Sequence, residues 1–136
     1  TANNDNGIQT TGAGNTVTAV LTNRVQGTVS TAGAATQTIF TLNLGATPAS
    51  YIFQVEITGF DTTTPTATGY WFLATARTTG AAATVVGTNE DFLEDAALGA
   101  SDVDMTAAGN TVSMTVTGVA GINLNWSAVG YYVKAV

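Results

Sequence analysis

The sequence predicts an all-β protein, an antiparallel β-sandwich of jelly-roll-like form with about eight to ten short strands. Three observations predict it. Apolar and polar residues alternate with period two over several segments, as in strands that bury one face; Tyr51, Phe53, Val55 and Ile57 against Gln54, Glu56 and Thr58 is among the clearest. Turn-forming residues punctuate these segments at short, regular intervals. Helical spacing is an option only within residues 88–99, where Phe92, Leu93, Ala96 and Ala97 suit a single turn or an irregular crossover. No fixed-period repeat is present, which argues against a solenoid or propeller.

Residues 1–15 hold three glycines and four asparagines and almost nothing apolar, so a flexible lead-in is expected there and a single domain over 16–136. The strands begin with Val17, Ala19 and Leu21 alternating with threonines, and residues 26–30 continue or restart that strand before a turn at 31–35. Residues 37–44 follow, with Phe40, Leu42 and Leu44 on one side, and then 49–58. The segment 59–69, with Pro65 and three consecutive threonines between two glycines, is expected to be an exposed loop. Tyr70, Trp71, Phe72 and Leu73 in a row predict a strand covered on both faces, by a second layer or a neighbouring subunit. A turn at Thr79 and Gly80 leads to a strand at 81–87. Residues 101–106 turn Val103 and Met105 inward and Asp102 and Asp104 outward, and 107–110 form a turn. Val112, Met114 and Val116, then Ile122, Leu124 and Trp126, alternate with hydroxyl and amide residues on either side of Gly118 and Gly121, which predicts a β-hairpin. Beyond Gly130 the apolar phase passes to Tyr131 and Val133. That predicts a bulge or bend at Gly130, with the last residues available to a neighbouring subunit.

Composition removes whole function classes. Charged residues are 9% of the chain, against about 25% in an ordinary soluble domain. The basic residues are Arg24, Arg77 and Lys134, and the net charge is −6. Phosphate backbones are held by clustered Lys and Arg, so nucleic acid is not an expected partner, nor is an anionic membrane surface. No apolar run approaches the roughly 18 residues of a membrane span, and the polar residues 1–6 do not read as a signal peptide. With no cysteine and no histidine, the chain lacks disulfides, thiolate nucleophiles, the commonest general base and the commonest transition-metal ligand. The reading is therefore not an enzyme, with no cofactor. A positive mean hydropathy on so few charges points to surface buried in a homo-oligomer or larger assembly.

Six of the nine acidic residues, Glu90, Asp91, Glu94, Asp95, Asp102 and Asp104, fall within fifteen positions. Glu94, Asp95, Asp102 and Asp104 are weak candidate calcium ligands, because calcium gathers oxygen donors. Their spacing matches no calcium loop, and alternation already places Asp102 and Asp104 on a solvated strand face. Paired carboxylates could serve a glycosidase, but nothing specifies the apolar site or deep cleft it needs. Thr1 as an N-terminal nucleophile and Lys134 lack a supporting motif. Gly12 and Gly14 sit in the polar lead-in, so they form no phosphate-binding loop. The aromatic residues Tyr70, Trp71, Trp126, Tyr131 and Tyr132 could act as flat platforms for sugar rings, with Trp126 expected in the core. In the adjacent pairs, one member must face the opposite side of its strand. Asp61, Thr63, Tyr70 and Trp71 are the candidate receptor contacts.

The segments Gly87-Thr88, Glu94-Asp95, Gly109-Asn110-Thr111-Val112, residues 116–121, Ile122-Asn123 and Asn125-Trp126, with residues 23–27 and 51–60 and then Gly69-Tyr70 upstream, resemble in order and spacing a segment of tailed-bacteriophage virion proteins. The resemblance covers about residues 20 to 130 and is a pattern of strands and turns without a catalytic signature. It implies a β-structured module of a tail fibre, head fibre or spike. Such a module is expected to be homotrimeric, at the virion surface, bound to other virion proteins and presenting a host-attachment surface that could take a cell-surface glycan. A purely structural capsid decoration or assembly protein is the alternative, and a glycan-acting enzyme the remote third.

Overall fold

In a computed structural model of the chain, residues 23–136 are described. The expected lead-in at 1–15, the strand start at Val17, Ala19 and Leu21, and the readings of Thr1, Gly12 and Gly14 lie outside the described residues. Eight strands follow in order among those described: β1 (Asn23–Ala32), β2 (Thr36–Asn43), β3 (Ala49–Asp61), β4 (Thr66–Thr78), β5 (Ala83–Glu94), a single 3-10 turn (Ala96–Leu98), β6 (Asp102–Ala108), β7 (Thr111–Thr117) and β8 (Asn123–Ala135). They form a five-stranded sheet ordered β1-β8-β3-β4-β5 and a three-stranded sheet ordered β2-β7-β6. Every pairing is antiparallel. The two sheets close on one core, so the antiparallel β-sandwich read from the sequence is the observed fold.

The jelly-roll character resides in two wrapped pairs, β1 with β8 and β2 with β7, which lie in opposite sheets. The chain passes between sheets at 33–35 and again at 118–122, and these crossings run side by side. Gly33 N donates to the Ile122 carbonyl at 3.0 Å, and Gly118 N to that of Ala35 at 3.0 Å. Beyond these pairs, β3, β4 and β5 continue as a meander in the larger sheet. The expected hairpin across residues 118–121 is therefore corrected: β7 and β8 are not paired, and each completes a different sheet. Period two gives the buried face of each strand but not the partner beside it.

The core follows the alternation. Tyr51, Phe53, Val55 and Ile57 of β3, Tyr70, Phe72, Ala74 and Ala76 of β4, and Leu124, Trp126 and Ala128 of β8 face Val103, Met105, Val112, Met114 and Val116 of the smaller sheet. Trp126 is 2% exposed, with its indole N–H donating to Thr31 Oγ1 at 2.9 Å. β2 departs from simple alternation, because a register shift between Thr38 and Phe40 turns both Ile39 and Phe40 inward.

Three further expectations are corrected. The loop at 59–69 is shorter than expected, since β3 runs to Asp61 and β4 starts at Thr66. Gly59 is a buried strand residue opposite Thr68, where a Cβ would stand 2.8 Å from the Trp126 ring. Within the chain the strand carrying Tyr70–Leu73 is covered on its inner face only, so no second layer supplies the expected outer cover, and Trp71 is 48% exposed there. The apolar phase of β8 does not change at Gly130. Its register runs unshifted against both β1 and β3, Tyr132 stays inward against Tyr51 and Phe53, and Tyr131 and Val133 face out. Gly130 holds an inward position because a Cβ there would collide with the Gln54 carbonyl oxygen and stand 2.8 Å from Val55 Cα. The last residues also pair within the chain, as far as Ala135 opposite Ser50.

Candidate functional site

The outer face of the five-stranded sheet is where chemistry-bearing side chains collect. Alternation places Glu56 and Thr58 of β3, Gly69 and Trp71 of β4, Asp91 and Leu93 of β5, and Ser127 and Val129 of β8 on this face. The registers arrange them in rows. Val129, Glu56, Trp71 and Asp91 stand side by side across four strands, and the next row is Ser127, Thr58, Gly69 and Leu93. Gly69 contributes no side chain, so the sheet is locally bare between Thr58 and Leu93. The rows enclose an open depression of about 890 Å³. Trp71 walls one side, half exposed, and Leu93 the other at 86% exposure. A half-exposed indole beside hydroxyls and carboxylates offers an apolar face for a ring with hydrogen-bonding groups at its rim.

The sequence-derived candidates separate here. Trp71 lies in the depression, on the outer face. Tyr70, its neighbour in the chain, is buried beneath it, with its hydroxyl 2.7 Å from Ser101 Oγ. Burial holds the Tyr70 phenol above its usual range; the bonds to Ser101 and Thr68 oppose this, and Glu94 and Asp102 add to it. Tyr70 is thus corrected from a platform to a core residue. Asp61 is buried, and its Oδ1 accepts from Thr63 N at 2.8 Å, the Asx bond that closes the four-residue turn between β3 and β4. Thr63 is exposed at that turn, apart from the depression. The structure thus keeps Trp71 from the candidate set and adds Glu56, Gly69, Asp91 and Leu93. The register of β4 between β3 and β5 brings these together, and no single stretch of sequence carries that pairing.

The acidic residues sort differently. Asp95 Oδ2 accepts from Ala67 N at 2.8 Å, and Asp104 Oδ1 from Met105 N at 2.8 Å, so each braces local backbone. Among the described residues, no three acidic side chains are grouped as metal ligands would be. Glu94, Asp95, Asp102 and Asp104 are not gathered around one point. No helix among the described residues is long and apolar enough to cross a membrane.

Among the described residues, Glu90 on β5 carries the one shifted carboxyl. Burial raises its pKa, and Asp102 and then Asp104 on β6 raise it further. A raised folded pKa means that ionised Glu90 costs stability. The cost is absent below the ordinary glutamate range, grows as pH rises from there through the raised value, and is complete above it. Glu90→Gln is therefore expected to raise the melting temperature modestly at neutral pH and to leave it unchanged in acid, measured by thermal unfolding at both. An equal gain at both would show that the charge is not the cause.

No family model matches this chain, and no curated protein matches it. Among solved structures, the tailspike protein of Acinetobacter baumannii phage AM24 is similar over 81% of this chain and 26% of its own length, at 9% identity and a TM-score of 0.37. The chain spans about a quarter of that tailspike.

Proposed function

We propose that the chain is a non-enzymatic β-module of a virion fibre or spike, self-associating as a trimer and presenting the outer face of its larger sheet to a host-surface glycan. The observation that carries this reading is the half-exposed Trp71 beside the bare backbone at Gly69, with Thr58, Ser127, Glu56 and Asp91 around it. The resemblance of residues 20–130 to tailed-phage virion proteins supports the setting. Self-association is supported by the charge-poor composition and by Ile52, Tyr131 and Val133, which are exposed together at the other end of the same face, with Ile52 opposite Val133.

The test is binding of labelled protein to bacterial cells. Trp71→Ala should reduce saturable binding at least about tenfold, a loss in line with removing a stacking aromatic from an interface, with the melting curve little changed because the side chain is half solvated. Wild-type binding by Trp71→Ala would remove the glycan-platform reading. Light scattering is expected to give three times the monomer mass, falling to the monomer in a Val133→Glu variant. A wild-type monomer would remove the trimer. Trimerisation without saturable binding to any host would favour a capsid decoration protein, the reading to which the same exposed apolar residues would then belong.

A further inference from the structure

Trp71 stands directly between two carboxylates, Glu56 on β3 and Asp91 on β5. Neighbouring strands are about 4.8 Å apart, so the acids flank the indole at roughly 10 Å from each other at the backbone. Among the described residues lining the depression none is basic. Arg24 and Arg77 stand on exposed positions outside it, and Lys134 lies over the Tyr51 ring, 5.7 Å from its centroid. The face of an indole is the negative end of its quadrupole, and it attracts cations more strongly than any other side-chain ring. All three groups thus favour positive charge at one place, and an anion would meet two like charges there.

Resting on the reading of this face as a glycan site, we infer that the depression selects sugars carrying a free ammonium group. The ammonium sits over Trp71 and between Glu56 and Asp91, while the apolar side of the ring lies toward Gly69 and Leu93. Sulfated, phosphorylated and carboxylated sugars are repelled. A cation over an exposed indole and two exposed ion pairs together give the amine a roughly five- to 150-fold preference over its neutral counterpart.

The experiment is calorimetric titration of the full chain with oligomers of glucosamine and of N-acetylglucosamine of equal length, under conditions where the free amine is protonated. The free-amine oligomer should bind roughly five- to 150-fold more tightly. In Glu56→Gln/Asp91→Asn the ratio of the two affinities should fall to about one, whatever the absolute affinity, with the melting curve confirming a folded variant. High salt should erode the preference as well. Equal affinity for the two oligomers, or a preference that survives the double substitution, overturns selection by charge and leaves a neutral glycan site standing. Binding of neither oligomer also overturns it, and cell binding by the Trp71→Ala variant then decides the glycan reading separately.

Discussion

Trp126→Ala is expected to lower the unfolding free energy by about 3–5 kcal/mol, the usual cost of truncating a buried tryptophan. The indole is 2% exposed between the sheets, and its loss leaves both a cavity and a buried Thr31 hydroxyl without its donor. Gly59 makes the prediction sharper. A methyl there would stand 2.8 and 2.9 Å from the Trp126 ring and 3.0 Å from Thr68 Cγ2, so Gly59→Ala should cost about 1–3 kcal/mol by overpacking. In a Trp126→Leu background the ring that causes the collision is gone, and the cost of Gly59→Ala should largely vanish. Urea unfolding of both singles and the double provides the cycle. Additivity within about 0.5 kcal/mol would mean that the glycine is not there to admit the tryptophan.

Gly130→Ala is expected to cost about 2–3 kcal/mol or more, near the upper end of the overpacking range. The obstruction is the backbone of β3, at the Gln54 carbonyl and Val55 Cα, and not the flexible end of a side chain. β8 is bonded to β1 on one side and β3 on the other, so displacing it loosens two strand pairs at once. Gly87→Ala in edge strand β5 is the control, since nothing lies within 4 Å of a Cβ there. It should be neutral or slightly stabilising, because glycine weakens a strand interior. Similar effects of the two substitutions on the urea midpoint would show that close approach of β3 is not what requires Gly130.

These two glycines also show what could be read from the sequence and what could not. Alternation gave the inward faces of β3, β6, β7 and the first half of β8 correctly, because each has one face in the core. Glycines in strands misled, since Gly59 and Gly130 look like a loop boundary and a bend. They are positions where a ring or another backbone comes too close for a side chain, a constraint supplied by residues distant in sequence. Partner choice was equally hidden. Residues 118–122 resemble a hairpin connection, and their role as a crossing between sheets depends on the β1–β2 turn beside them. At the candidate site, the opposed faces of Tyr70 and Trp71 followed from adjacency in an extended strand. Which of the two is outside, and that Glu56 and Asp91 flank it, needed the register of three strands.

The central claim is that the depression around Gly69 is the working surface, and Gly69→Leu tests it most directly. A Cβ on Gly69 would meet nothing closer than 3.9 Å, ordinary van der Waals contact, so a side chain can be added without moving the sheet. The variant should melt at or slightly above the wild-type temperature and keep the wild-type mass in solution, because a strand glycine has been replaced. Its leucine fills the space beside Trp71, and saturable binding to host cells should be lost. Undiminished binding by a fully folded Gly69→Leu variant would contradict the account.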